Sequence, residues 1–133
     1  GVSVHYVDED FDTGDLLEVK YFDVPDNLTG IEMYQLTQKN MFELFCKTIE
    51  RILDGEKLIA RPQKGGEYYS RNRLNSDKII RITDTAEHVN RKIEAFWFPP
   101  YHGATIEIGG ELFTLVNKKI LEKLSKYYDD NKA

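Results

Sequence analysis

The 133-residue chain has one cysteine, Cys46, so an intrachain disulfide is impossible and a disulfide-stapled scaffold is excluded. It has no apolar run near the ~20 residues that a membrane-crossing helix needs, so no membrane role is expected. Basic charge is not in excess: 18 Lys and Arg stand against 23 Asp and Glu, a net −5. A nucleic-acid footprint needs clustered cations, so no nucleic-acid partner is expected. The three histidines, His5, His88 and His102, are scattered, and Cys46 lies in an apolar helical stretch, which leaves no zinc set. Phosphate-cradling glycine loops and a G-x-S-x-G nucleophile turn are also missing. With 41% hydrophobic and 31% charged residues, the composition is that of one soluble globular domain. The lone cysteine and the lack of a signal peptide make the cytoplasm the expected compartment.

What is present begins with "GVSVHYVDEDFDTGDLL", Gly1 to Leu17. Val2, Val4 and Tyr6 alternate with Ser3, His5 and Val7 as in a strand, and the strand runs into five carboxylates: Asp8, Glu9, Asp10, Asp12 and Asp15. Opening at Gly1 in mid-strand, the chain reads as a piece of something longer. Asp8, Asp10 and Asp12 alternate as calcium-loop ligands do, but Thr13 stands where such a loop needs Gly and Val19 where it needs Glu, so no metal is assigned. The residues alone leave two readings open: an ordinary solvated acidic loop, or one wall of a site.

A second strand is expected over Leu16–Val24, ending at the turn residues Pro25-Asp26-Asn27. Thr29 and Glu32 form a capping box that starts a helix of about seven turns. Tyr34, Met41, Phe45, Ile49, Ile52 and Leu53 make its apolar stripe, read as core-facing, and Asp54-Gly55 stops it. Leu58 to Asp77 is polar and turn-rich, with Gly65-Gly66, and reads as a loop or linker. A second helix should start at Asp84, boxed by Glu87, and run through Val89, Ile93 and Phe96. Ala104–Val116 is a hairpin about Gly109-Gly110. Asn117 should cap a last helix through Ile120, Leu121, Leu124 and Tyr128.

Gly1, Ser3, His5, Val7, Phe11, Asp12 and Gly14 match the strand-loop-strand motif G-[VT]-[ST]-x-H-x-[VM]-x-x-x-[ILF]-D-[TGA]-G, and on them the chain resembles formyltransferases that use N10-formyltetrahydrofolate. "GEYYSR" (66–71) and "RKIEAFWFPPYHGATIEIGGELFTLV" (91–116) are most similar to the downstream part of sugar N-formyltransferases. The resemblance implies an α/β fold: the C-terminal part of a Rossmann-like formyltransferase sheet (1–57), a loop or linker (58–83), and a small α+β appendage with a β-hairpin (84–133).

It implies a reaction too. The amine of a nucleotide-linked amino sugar attacks the formyl carbon of the folate, an oxyanion forms, and a proton leaves the ammonium. Asp12 holds the position of the family's catalytic Asp and is expected to turn inward. His5 is the second catalytic candidate, its first task being to support the loop with Ser3. Asp8, Glu9, Asp10, Phe11 and Asp12 would form the folate-binding loop, the backbone of Asp8–Phe11 lying along the pterin. Tyr69, Arg71 and Trp97 are the candidates for seating the sugar nucleotide, with core packing as the alternative for Trp97.

The family's Asn-x-His and H-x-S-x-L-P segments do not occur in these 133 residues, so the fragment alone should catalyse poorly or not at all. The alternative function is a non-catalytic dimerisation or interaction module, using the hairpin edge and the last helix. Within the family the alternative is a methionyl-tRNA formyltransferase-like protein, against which the acidic charge argues. An exposed sheet edge would favour a homo-oligomer.

Overall fold

A computed structural model of the chain describes residues 1–63 and 66–130, without the side chains of residues 127, 128 and 130. Gly65 of the expected glycine turn and the Tyr128 side chain lie outside the described residues. The chain divides into two compact units, one of Gly1–Val24 with Met33–Tyr68, the other of Pro25–Glu32 with the chain from Tyr69 onward.

In the first unit, β1 (Val2–His5) pairs antiparallel with β2 (Leu16–Lys20), Ser3 opposite Val19 and Val4 opposite Glu18. The register shifts between Val4 and His5, a bulge that ends the strand early. Tyr6 and Val7, expected to continue the alternation, are exposed beyond it. β2 likewise stops at Lys20 and does not reach Val24. At its start Leu16 exchanges two backbone hydrogen bonds with Arg61, of 2.7 and 2.9 Å.

Helix α1 (Gly30–Leu53) starts where the capping box puts it. The Glu32 carboxylate accepts from the Thr29 N–H at 2.8 Å and from its hydroxyl at 2.7 Å, and the Glu32 N–H donates back to Thr29 Oγ1 at 3.4 Å. Its buried face corrects the sequence reading. Asn40, Leu44 and Thr48 are buried, while Tyr34, Met41, Phe45, Ile49, Ile52 and Leu53 are exposed. At 3.6 residues per turn the apolar stripe lies roughly a third of a turn round from the buried face. Asn40 and Thr48 are tolerated inside because each bonds the carbonyl four residues back, Leu36 at 2.9 Å and Leu44 at 2.8 Å. Ion pairs from α1 to β2, Glu43 with Lys20 at 2.6 Å and Arg51 with Glu18, fix the helix on the hairpin.

The second unit holds α2 (Arg71–Asp77), α3 (Ala86–Ala95), β3 (Thr105–Ile108), β4 (Glu111–Thr114) and α4 (Lys118–Asp130). Helix α2 lies within the segment read as loop. Ser70 caps it, accepting from the Arg73 N–H, a start that a polar window without apolar periodicity does not advertise. Thr85, not Asp84, caps α3 by accepting from the His88 N–H at 3.2 Å, while Asp84 closes the preceding turn through the Arg81 N–H at 3.0 Å. The hairpin forms as expected. Gly109 and Gly110 have φ of 62° and 85°, the two left-handed positions of a tight two-residue turn. Asn117 caps α4 by accepting from the Ile120 N–H at 3.0 Å. Ile80, Ile93, Ala104 and Ile120 form this unit's buried cluster, with Trp97, Phe96 and Leu115 among the half-buried residues packed on it.

Candidate functional site

The loop between β1 and β2 is built by its own side chains. Asp8 Oδ1 accepts from the Asp10 N–H at 3.2 Å and from the Thr13 hydroxyl at 2.6 Å, which curls 8–13 into a closed turn. Across the neck of the loop the Tyr6 N–H donates to the Asp15 carbonyl at 3.0 Å. Gly14 is buried there because nothing larger fits: a Cβ would lie 1.8 Å from the Tyr6 carbonyl oxygen. Gln63 Nε2 donates to the Gly14 carbonyl at 2.6 Å and pins the exit of the loop from outside. Motif reading missed Gln63, since 49 residues separate the partners.

Asp12 takes φ of 55°, left-handed backbone that Asp adopts more readily than most residues. Its carboxylate is 94% exposed, so in this chain it does not turn inward as expected; it stands 3.6 Å from His5 Nε2. His5 Nδ1 lies 2.7 Å from the Tyr6 carbonyl. His5 Nδ1 is within hydrogen-bond distance of that carbonyl, whereas Nε2 and the Asp12 carboxylate are close enough only for an ion pair. The loop can therefore hold a carboxylate and an imidazole side by side at its rim. Glu9, Asp10 and Phe11, in the segment expected to meet the pterin, are exposed, Phe11 by 99%. Ser3 is exposed on β1. Among the described residues no group of three or more His, Cys, Asp or Glu is placed to hold a metal.

The sugar-nucleotide candidates lie in the second unit. Tyr69 is half-exposed under the Arg73 guanidinium, 4.2 Å from the ring centroid. Arg71 is exposed in the first turn of α2. Trp97 packs on the buried cluster, and its carbonyl accepts from the Ile31 N–H at 3.0 Å. The strongest charge perturbation in this unit is at Glu32. Burial pushes its carboxyl up, but hydrogen bonds from Lys123 and from Thr29 outweigh that and hold it at about 2.

No protein-family profile matches the chain. It is 26% identical over 121 residues to a methionyl-tRNA formyltransferase of Syntrophomonas wolfei, covering 90% of this chain and 38% of that protein. A methionyl-tRNA formyltransferase of Janthinobacterium is 28% identical over 112 residues, with 84% and 34% covered. The chain thus spans little more than a third of these relatives' length. In fold it matches a 4-N formyltransferase from Francisella tularensis at a TM-score of 0.74 and 24% identity, over 86% of this chain and 49% of that one. By sequence over most of its length, and by fold, this chain is similar to formyltransferases.

Proposed function

We propose that the chain is the C-terminal half of an enzyme that transfers formyl from N10-formyltetrahydrofolate to the amine of a nucleotide-linked amino sugar. The observation that carries this is the Asp8–Gly14 loop: a self-closed turn with Asp12 and His5 paired at its rim and a glycine that no other residue can replace. In this reading the exposed backbone of Asp8–Phe11 lies along the pterin. Asp12 and His5 act on the proton that the attacking amine must lose, Asp12 as the carboxylate that stabilises a cationic partner and His5 as the support that orients it. Tyr69 and Arg71 contribute an aromatic face and a guanidinium for a nucleotide base and pyrophosphate. Trp97 packs on the buried cluster, the core role that was its alternative.

Two acceptors are in question. The net −5 charge favours a small amine acceptor, because a tRNA would need a cationic surface. The sequence relatives act on methionyl-tRNA by name, and that is the second reading. Adding a stable formyl-folate to isotope-labelled protein tests the site: saturable amide shifts confined to Tyr6–Asp15, reduced in Asp12→Ala, are expected. Absence of shifts at millimolar folate would sink the reading. A competition between a nucleotide-linked amino sugar and methionyl-tRNA, read as shifts around Tyr69–Arg73, separates the two acceptors.

A further inference from the structure

The exit of the Asp8–Asp15 loop is gripped from a segment far along the chain. Leu16 and Arg61 exchange both backbone hydrogen bonds, as a hydrogen-bonded pair of an antiparallel ladder does. The next such pair falls two residues on along each segment, at Gln63 and Gly14. Between them Pro62 has no N–H to donate, and its ring disfavours helical backbone at Arg61. At the Gln63–Gly14 position a side chain supplies the bond: the half-buried Gln63 Nε2 donates to the Gly14 carbonyl at 2.6 Å. Residues 61–63 therefore form a short strap beside the start of β2. On the other flank Gly14 lies against Tyr6, whose carbonyl oxygen would be 1.8 Å from a Cβ, and the Tyr6 N–H holds the Asp15 carbonyl at 3.0 Å. Residues 14–16 are thus held from both sides. The bonds that Asp8 accepts, from the Asp10 N–H and the Thr13 hydroxyl, stay inside the loop. They give the loop its shape, and its placement is set at the exit.

We propose that Gln63 is a positioning residue for the candidate folate loop: its bond to Gly14, two residues along from Asp12, fixes where the left-handed Asp12 turn and its carboxylate stand beside His5. The inference rests on the formyltransferase reading and adds to it a residue outside the loop motif. Without the Gln63 donor the strap keeps only the Leu16–Arg61 bonds, further from Asp12, and the loop spends part of its time displaced. A ligand that needs the placed loop then binds more weakly, in proportion to the placement lost. The net worth of one hydrogen bond sets the scale, about a fivefold to tenfold loss. Coupling is reciprocal, so a ligand on the loop also tightens the strap, and an amide outside the loop reports its binding.

The test compares the 133-residue chain with Gln63→Met, which keeps the side-chain length and loses the donor, and Gln63→Lys, which keeps a donor. Each is titrated with 5-formyltetrahydrofolate, read by the amide shifts of Tyr6–Asp15, and the HN–Hα coupling of Asp12 reports its φ. Gln63→Met is expected to bind about fivefold to tenfold more weakly and to move the Asp12 coupling, and Gln63→Lys to restore both. In the unsubstituted chain, saturating folate is expected to slow exchange of the Arg61 amide. Unchanged affinity and coupling in Gln63→Met overturn the proposal, even if urea unfolding shows lower stability, since Gln63 is then structural only. Gln63→Lys as weak as Gln63→Met overturns it too, because the donor is then not what matters. If circular dichroism shows that Gln63→Met does not fold, the Arg61 amide decides, and exchange there that ignores folate sinks the proposal. Failure here with folate shifts intact at Tyr6–Asp15 removes this inference alone; absence of those shifts removes the formyltransferase reading and this inference with it.

Discussion

Gly14 shows how a single atom decides a loop. With a Cβ placed 1.8 Å from the Tyr6 carbonyl, Gly14→Ala must displace the loop neck or break the Tyr6–Asp15 bond. A cost of about 1–3 kcal/mol is expected, as for other overpacked sites, with loss of any folate-induced shifts. Urea unfolding and the folate titration check both halves. Glu32 has its carboxyl held well below the ordinary range by Lys123 and Thr29. Its folded value of about 2 lies below its ordinary 4.5, so the bonds from Lys123 and Thr29 stabilise fully above the ordinary value. That contribution is lost as pH falls through the folded value. Stability should therefore decline between about pH 5 and pH 2, and Glu32→Gln should flatten that decline in acid unfolding curves, leaving the part due to Glu43, Glu56 and Asp84, which are also held low. Thr29→Ala removes the other side of the box and should cost about 1 kcal/mol.

At the scale of elements, α1 separates two questions that periodicity merges. Leu44 is 7% exposed and Phe45 51%, although they are neighbours. Leu44→Ala should cost about 2–3 kcal/mol in the isolated chain. Phe45→Ala should cost about 1 kcal/mol or less, since half its side chain already faces water. Equal losses for the two in urea unfolding would contradict the orientation of the helix. The sequence pattern located the stripe correctly and misassigned what covers it, because a 3.6-residue period says which residues share a face and nothing about the neighbour opposite. The α1 capping box, the Asn117 cap and the Gly109-Gly110 turn were legible for the converse reason: each is satisfied within about three residues by hydrogen bonds that the sequence itself specifies. Gln63 on Gly14 and Arg61 on Leu16 were not, since they join distant segments without any composition signal. The motif over Gly1–Gly14 marked the candidate loop, yet the open position of Asp12 and its pairing with His5 became visible only in three dimensions.

For the whole molecule, the unequal cores carry a dynamic consequence. Local opening is controlled by how much apolar surface and how many backbone bonds must be given up, so two units with different cores should open at different free energies. Unit 2 has a closed cluster crossed by backbone bonds, Ile80 to Thr105 at 2.7 Å and Leu115 to Ala104 at 2.9 Å. Unit 1 has a two-stranded sheet, three buried apolar residues among those described and an open helix face, and an isolated two-stranded sheet is marginal in water. Amides of Val2–His5 and Leu16–Lys20 should therefore exchange at least ~10-fold faster than those of Thr105–Ile108 in the same sample. Uniform protection across both sheets would mean that unit 1 borrows its stability from contacts other than its own core. Fast exchange in unit 1 alone would mean that the candidate loop, with Asp12 and His5 at its rim, sits on the less stable of the two units.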